Sequence, residues 1–229
     1  MTGLMRAASS AAGRVMDLLY PPSLYCICCG NLIDETRTYN LCDHCMAHIR
    51  WDASAPRDIG GMKTLRCVQY GIYERTLIFS LKYNSKTWIA RDIAKICADR
   101  LALAKLDFGV DFDVIVPVPL HRDKERQRGF NQAALIGRYL GRQADRPCLE
   151  HALIRTQDTR PMRGLSPEER KENVRGKFRL DHRYAGQIAG RRVLLFDDFY
   201  TTGSTASACR DALAEAEPAE VSFLAFAAK

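Results

Sequence analysis

The sequence predicts an α/β fold, in which one domain with a mainly parallel sheet flanked by helices follows a small cysteine-rich segment. Residues 193–196 are four consecutive apolar residues, a pattern typical of a strand buried on both faces of a parallel sheet. A second buried strand is predicted within residues 113–117, and helical patterns occupy parts of the chain between the two. A length of 229 residues allows one α/β domain of ordinary size and a small appendage.

The composition is that of a soluble globular protein, with 47% hydrophobic and 27% charged residues. No apolar run approaches the roughly 20 residues that cross a bilayer, so no transmembrane segment is predicted. Arg6, Arg14 and Asp17 interrupt the N-terminal apolar stretch, which therefore lacks the core of a signal peptide. We expect a cytoplasmic protein, in which the nine cysteines do not form the disulfides of a secreted chain.

The N-terminal 50 residues contain two predicted parts. Residues 1–22 are predicted to form an amphipathic helix that Pro21 and Pro22 terminate. Residues 23–50 contain two C-x2-C pairs separated by twelve residues, and Gly30 can adopt the positive φ of the tight turn after the first pair. Both sulfurs of such a pair can face one metal ion, so the spacing predicts a zinc ribbon.

One structural zinc ion per chain is predicted, with four thiolate ligands and no open coordination position. The predicted ligands are Cys26, Cys29, Cys42 and Cys45. Cys28 and His44 are possible substitutes, but either would break the symmetric spacing. Coincidentally paired free thiols are the alternative to a metal site.

The main domain is predicted to span residues 63–229, after a polar linker at residues 50–64. Hydrophobic periodicity predicts a strand at residues 65–73 and helices at residues 75–83 and 86–105. The apolar residues of the second helix recur at helical spacing, which favours a role in core packing.

A basic loop is predicted to follow the strand at residues 113–117, before a helix at residues 130–140. Parallel strands end at the same sheet edge, where ligands of such sheets bind, so this loop is expected near the end of strand 193–196. Arg126 and Arg128 are candidates for binding a pyrophosphate group, because guanidinium groups match the geometry of phosphate oxygens. A solvated basic loop is the alternative.

The strand at residues 193–196 is predicted to end at two acids, which a hydroxyl-rich turn and a helix at residues 206–215 follow. Free N–H groups in such a turn and the helix dipole favour a phosphate group. Carboxylates would repel a bare phosphate, but they can accept hydrogen bonds from the hydroxyls of a sugar that carries the phosphate. The inferred ligand is therefore a ribose 5-phosphate group. A helix cap with a plain turn is the alternative. The candidate residues are Asp197, Asp198, Thr201, Thr202, Gly203, Ser204 and Thr205.

These thirteen residues, 193–205, resemble the phosphoribosyl-pyrophosphate signature of the type I phosphoribosyltransferases. In that family the two acids bind the ribose hydroxyls and the turn binds the 5-phosphate. The resemblance implies a type I phosphoribosyltransferase-like sheet and a Mg²⁺ ion bound together with phosphoribosyl pyrophosphate. A polar, aperiodic segment at residues 155–165 is predicted to be a mobile lid over the site.

A narrower resemblance, to the ComF family of phosphoribosyltransferase-like proteins, extends from about residue 15 to the C-terminus. It is carried by the four cysteines, by Lys82-Tyr83, by residues 116–121 and 128–132, and by the segment from Arg170 and Asn173 to Phe178. Arg170 and Asn173 share one face of a helix that a capping box starts at Ser166, and they are predicted to contact ligand or to hold the lid. Met162 stands where the family commonly has glutamine, which places any ligand contact of that glutamine in doubt.

The charge distribution favours a polyanionic partner. Residues 121–179 contain 15 Lys and Arg against 8 Asp and Glu, which accounts for the net charge of +7. The ComF resemblance implies a competence protein of DNA uptake and natural transformation that binds phosphoribosyl pyrophosphate and single-stranded DNA. A phosphoribosyltransferase of nucleotide salvage is the alternative. A non-catalytic scaffold for a competence helicase or another DNA-processing protein is the third possibility.

Overall fold

The computed structural model describes residues 24–83, 86–157, 166, 169 and 176–229. The chain divides into two compact units, Met1–Ile49 and Arg50–Lys229. The predicted N-terminal helix, most of the predicted lid, Met162, Arg170 and Asn173 lie outside the described residues. Within the described residues, no helix is both long enough and apolar enough to cross a bilayer.

The first unit is described from residue 24 and contains two cysteine-bearing turns. An antiparallel bridge joins Tyr25 to Leu32, and within it the Gly30 N–H donates to the Cys26 carbonyl at 2.9 Å. Gly30 has a φ of 80°, as the predicted tight turn requires. A 3₁₀ turn at Thr38–Asn40 leads to helix α1, Asp43–His48, whose N-cap is Cys42. The second C-x2-C pair is therefore the first turn of a helix.

The second unit contains seven described helices and seven strands. The helices are α2 Ile72–Tyr83, α3 Ile89–Leu103, α4 Phe108–Asp111, α5 Arg122–Arg128, α6 Gln132–Ala144, α7 Ala185–Ile188 and α8 Ser204–Leu213, with 3₁₀ turns at His182–Tyr184 and Ala214–Ala216. The strands are β1 Arg57–Asp58, β2 Lys63–Gln69, β3 Val114–Pro117, β4 Leu153–Arg155, β5 Phe178–Leu180, β6 Arg192–Tyr200 and β7 Glu220–Ala228.

The central sheet has the order β1-β2-β7-β6-β3 and is mainly parallel, which confirms the predicted fold class. Only β1 is antiparallel to its neighbour, while β2, β7, β6 and β3 run in one direction. The carboxyl ends of these four strands therefore lie at one edge of the sheet. An ion pair fixes the register at the opposite edge, where Arg192 Nη2 donates to Asp113 Oδ1 at 2.7 Å.

Helices cover both faces of the sheet, so the unit has three layers. On one face, Val193 and Leu195 of β6 belong to the same buried cluster as Cys209 and Leu213 of α8. On the other face, α6 packs closely on β3, since Cβ atoms at Gly137 and Gly141 would each lie 3.6 Å from the Ile115 side chain. Successive side chains of a strand point to opposite faces, which explains why the apolar run at residues 193–196 is buried throughout.

The structure differs from the sequence-based expectations in several places. The strand predicted at residues 65–73 ends at Gln69, and Ile72 and Tyr73 begin helix α2. Strand β6 does not end before the acids but continues to Tyr200, because β7 pairs with it as far as Ala228. The predicted basic loop is helix α5, which is capped when the His121 side chain accepts a hydrogen bond from the Asp123 N–H. Arg57 and Asp58, within the predicted linker, pair with β2 as a short edge strand.

A two-stranded antiparallel sheet of β4 and β5 flanks α8. The chain between these strands contains the predicted capping box, of which Ser166 and Glu169 are described. The Ser166 N–H donates to Glu169 Oε2 at 2.7 Å, and the Glu169 N–H donates to the Ser166 hydroxyl at 3.2 Å. This reciprocal pair of hydrogen bonds is the geometry that the capping box predicts.

Candidate functional site

The acid pair lies near the carboxyl end of β6, at the carboxyl edge of the sheet. Asp198 is buried and Asp197 is half-buried. The Asp198 N–H donates to Asp197 Oδ1 at 2.8 Å, so the first carboxylate is oriented by the backbone of the second residue. Buried carboxylates need a partner that donates hydrogen bonds to them or carries a positive charge.

Lys82 supplies the positive charge. Its Nζ lies 2.6 Å from Asp198 Oδ2, and the side chains of the lysine and the aspartate are only 18% and 6% exposed. Helix α2 follows the carboxyl end of β2 and reaches the acid pair with its last turn, so it spans this edge of the sheet. Sequence analysis did not place Lys82 in the site; the only signal was its presence in the Lys82-Tyr83 part of the ComF resemblance.

The pKa of Asp197 lies well above its usual range. Burial is the largest cause, the neighbouring charge of Asp198 adds to it, and the charge of Lys82 opposes both. The site therefore favours a ligand that donates hydrogen bonds to the carboxylates, such as a diol, over one that brings further negative charge to them.

The hydroxyl-rich turn follows β6 directly and leads into α8. Gly203 is the N-cap of α8 with a φ of 79° and provides no side-chain cap, so the first N–H groups of the helix have no capping side chain. A Cβ atom at Gly203 would lie 2.8 Å from the Tyr200 hydroxyl, so the turn depends on glycine. The hydroxyls of Thr202 and Ser204 are hydrogen bonded to each other at 2.8 Å. The two carboxylates can accept hydrogen bonds from hydroxyl groups of a ligand, and the turn beside them can donate hydrogen bonds to an anion.

The two arginines of α5 that are candidates for binding pyrophosphate have different surroundings. Arg128 donates to Gln132 Oε1, and its Cζ lies 5.5 Å from the ring centroid of Tyr83, the residue that follows Lys82. Arg128 is therefore close to the end of α2 that reaches the acid pair. Arg126 is exposed, and its described partner is Asp123 of the same helix, at 4.0 Å.

A cavity of about 710 Å³ lies elsewhere, between the start of α6 and the β4–β5 sheet. None of the predicted ligand-binding residues lines it. Its charged lining residues include two bidentate ion pairs, Arg138 with Glu150 and Arg183 with Asp181. These four side chains are paired with each other, and the lining also contains Arg122, Glu125 and Arg155.

The predicted cysteine ligands are brought together in the first unit. The sulfur atoms of Cys26, Cys29, Cys42 and Cys45 all lie within 4.8 Å of one another, and Cys29 Sγ is 3.6 Å from Cys42 Sγ. Four sulfurs about 2.3 Å from a central zinc ion would be about 3.8 Å apart, so the cluster fits a tetrahedral metal ion such as zinc. Among the described residues, Cys28 and His44 are not part of the cluster, as expected.

The environment of Cys26 favours a thiolate. Burial alone would raise its pKa, but hydrogen bonds from the backbone N–H groups of Cys29, Cys42 and Cys28 lower it to about 7. By contrast, burial raises the pKa of the Cys28 thiol to about 11. Burial also raises the pKa of the Cys29 and Cys45 thiols, which are predicted ligands. The positions of the sulfur atoms, and not the pKa values of the thiols, therefore separate Cys28 from the cluster.

Replacing Lys82 by methionine should destabilise the protein by about 3–5 kcal/mol at pH 7, because Asp198 would keep a buried charge without its partner. Urea unfolding at pH 7 measures the effect. Lys82→Met combined with Asp198→Asn should recover most of the stability, and Lys95→Met on the exposed side of α3 is the control. Unchanged stability of Lys82→Met, or no recovery in the combined variant, would contradict the role of the ion pair.

The mainly parallel sheet and the helices on both faces define a three-layer α/β domain. At its carboxyl edge an acid pair is followed by a hydroxyl-rich turn and a helix, the arrangement that the resemblance to the type I phosphoribosyltransferases predicts. Proteins named competence protein or DNA utilization protein are similar in sequence to this chain. Competence protein F of Haemophilus influenzae is 29% identical over 183 residues, which cover 77% of this chain and 80% of that protein. Competence protein F is thus one of the proteins to which this chain is similar, as the ComF resemblance of the sequence motifs predicts.

Other relatives align over shorter stretches. DNA utilization protein YhgH of Escherichia coli is 33% identical over 56% of each chain, and competence protein ComFC of Bacillus subtilis is 36% identical over 40% of this chain and 34% of its own. This chain thus spans about half of YhgH and a third of ComFC in these alignments. No family model matches the chain.

A solved structure that resembles the fold is the glutamine phosphoribosylpyrophosphate amidotransferase of B. subtilis complexed with ADP and GMP. It covers 59% of this chain and 25% of its own, with a TM-score of 0.39 and 23% identity. The fold assignment made above rests on the strand order and the layers of this chain.

Proposed function

We propose that the carboxyl edge of the sheet binds phosphoribosyl pyrophosphate. The observation that carries the proposal is the continuity of β6, its two acids, the hydroxyl-rich turn and the N-terminus of α8. In the proposed complex Asp197 and Asp198 accept hydrogen bonds from the ribose hydroxyls. The 5-phosphate accepts hydrogen bonds from the turn formed by residues 201–205, where the helix dipole also favours negative charge.

The pyrophosphate group is proposed to bind towards α5. Arg128 is the better placed of the two arginines, because it lies beside the end of α2 that contacts the acid pair. For Arg170 and Asn173 we retain the role predicted from the sequence, which is to contact the ligand or to hold the lid. Mg²⁺ is proposed to bind together with the ligand and to neutralise phosphate charge, coordinated mainly by ligand oxygens and water. The acid pair is already neutralised in part by Lys82, which is why no protein ligand of Mg²⁺ is assigned to it.

The first unit is proposed to hold one structural zinc ion through its four clustered thiolates. The cluster supplies four ligands, so a tetrahedral ion would have no open position for catalysis. Its proposed contribution is to the folding of a segment that has few buried apolar residues of its own.

We further propose that the protein acts in DNA uptake and binds single-stranded DNA. The names of the relatives, competence protein F, ComFC and DNA utilization protein, support this role. The basic excess in residues 121–179 supports a polyanionic partner. A competence helicase or another DNA-processing protein, and a cytoplasmic location, stay predictions of the sequence.

A phosphoribosyltransferase of nucleotide salvage is the second candidate, which the complete thirteen-residue signature favours. In that reaction the ribose ring oxygen would stabilise positive charge at the anomeric carbon as pyrophosphate leaves, and Arg128 would stabilise the leaving group. Release of pyrophosphate on addition of a panel of nucleobases would support this candidate, and its absence would favour a binding role.

The DNA-binding proposal predicts salt-dependent retention on immobilised single-stranded oligonucleotides. The logarithm of the association constant should fall linearly with the logarithm of the salt concentration, with a slope of about −0.7 per neutralised phosphate. Fluorescence anisotropy at several salt concentrations, with and without phosphoribosyl pyrophosphate and Mg²⁺, measures the slope. Absence of binding at low salt would refute the DNA part of the proposal and leave the ligand part intact.

A further inference from the structure

Two aromatic rings and two guanidinium groups form a row along helix α2, which we call the α2 aromatic face. It consists of Arg75, Phe79 and Tyr83 of α2 together with Arg128 of α5. The three α2 residues are spaced four apart and therefore lie on one side of the helix. Phe79 is 42% exposed and Tyr83 is 64% exposed.

The four side chains lie in a row, in which the planes of the two rings are tilted by 45°. Arg75 Cζ lies 4.8 Å from the ring centroid of Phe79, whose ring is 5.1 Å from that of Tyr83. Arg128 Cζ lies 5.5 Å from the Tyr83 centroid at the other end. The row therefore alternates cation, ring, ring and cation, and each guanidinium is held over an aromatic face.

Packing of the core does not explain this row. The opposite side of α2 supplies the core residues Leu77, Ile78 and Leu81, which are all buried. The acid of the helix also points inward, since Glu74 is buried and accepts a hydrogen bond from the Arg50 N–H at 2.6 Å. Large aromatic side chains left together on a surface mark an interaction site.

The charges of the α2 aromatic face indicate which kind of partner it binds. Among the residues that the structure describes, neither Arg75 nor Arg128 forms an ion pair with a carboxylate. Arg128 also belongs to the basic segment 121–179. Rings next to uncompensated cations suit a polyanion that carries flat aromatic groups. Single-stranded DNA fits because its bases are free to stack while its phosphates meet the cations, whereas the bases of a duplex are already stacked.

We propose that the α2 aromatic face stacks the bases of single-stranded DNA on Phe79 and Tyr83, while Arg75 contacts an adjacent phosphate. Arg128, which is proposed to bind the pyrophosphate group, borders this surface at Tyr83. This inference rests on the proposed function for the identity of the polyanion. It adds the surface that takes the bases, a region that the resemblance and the relatives do not specify. Lys82 precedes Tyr83 and contacts Asp198, so the proposed DNA surface begins next to the proposed ribose site.

The test compares wild-type protein with Phe79→Ser/Tyr83→Ser by anisotropy of a labelled 20-residue oligothymidylate. Stacking contributes about 1–3 kcal/mol per base, so loss of two rings should weaken binding by at least about 30-fold. The salt slope should stay unchanged, because no cation is removed. The same substitution should have little effect on an abasic oligonucleotide of equal length, which has phosphates but no bases. Leu103→Ser, at an exposed apolar residue of α3, is the matched control and should bind as wild type.

A second variant removes charge without touching the rings. Arg75→Gln should reduce the magnitude of the salt slope by about 0.7, the contribution of one phosphate contact. Unchanged affinity of Phe79→Ser/Tyr83→Ser for oligothymidylate would overturn the inference and leave the face to a protein partner. An equal loss on the abasic strand would overturn it as well, because the rings would not act through bases. If wild-type protein binds no single-stranded DNA, this inference and the DNA proposal both fail, whereas titration with phosphoribosyl pyrophosphate tests the ribose site separately.

Discussion

Replacing Asp197 and Asp198 by asparagine should weaken the binding of phosphoribosyl pyrophosphate by at least about 100-fold, because hydrogen bonds to charged groups contribute about 1.5–3 kcal/mol each. Both carboxylates lie at the carboxyl end of β6, directly before the turn proposed to hold the 5-phosphate. Asparagine keeps the shape of aspartate but carries an amide donor where the ribose hydroxyl needs an acceptor. Isothermal titration in the presence of Mg²⁺ measures the loss.

The double substitution also removes the partner of Lys82, so its effect on stability needs a separate variant. Asp197→Asn alone keeps the ion pair between Lys82 and Asp198. This variant should retain the fold but still bind phosphoribosyl pyrophosphate more weakly than wild type. Asp211→Asn, on the exposed surface of α8, is the matched control and should bind as wild type. Affinity of the double variant equal to that of wild type, in a folded protein, would rule out the ribose-binding role of the acid pair.

The second large effect is expected at the cysteine cluster. Purified protein should contain one zinc ion per chain, and Cys42→Ser should fail to retain it, because a structural site needs all four thiolates. Zinc binding to such segments has an apparent free energy of about 10–16 kcal/mol, so its loss should unfold residues 24–49. Metal analysis and hydrogen exchange of that segment measure the two consequences.

Cys28 provides the matched control for this experiment. It lies next to Cys29 in sequence but outside the cluster of sulfur atoms among the described residues. Cys28→Ser should therefore retain a full equivalent of zinc. Full zinc in Cys42→Ser would remove Cys42 from the ligand set, and loss of zinc in Cys28→Ser would show that the ligand set includes the fifth cysteine.

The elements that the sequence predicted well are those with a strong local pattern. The apolar run of β6, the helical spacing of α3 and the capping box at Ser166 each depend on residues a few positions apart. Element ends were less accurate. Strand β6 includes both acids because β7 pairs beside them, and α5 forms where a basic loop was expected because His121 caps it. A strand partner 28 residues away and a capping histidine are weak signals in a single sequence.

By itself, the sequence determined the α/β class, the four clustered cysteines and the acid pair with its hydroxyl-rich turn. These features are contiguous or regularly spaced, so local stereochemistry is enough to define them. Only the tertiary structure placed Lys82 against Asp198 and stacked Arg128 on Tyr83. Those contacts join residues 116 and 45 positions apart, and they form because α2 crosses the carboxyl edge of a sheet whose strand order is not the order of the chain.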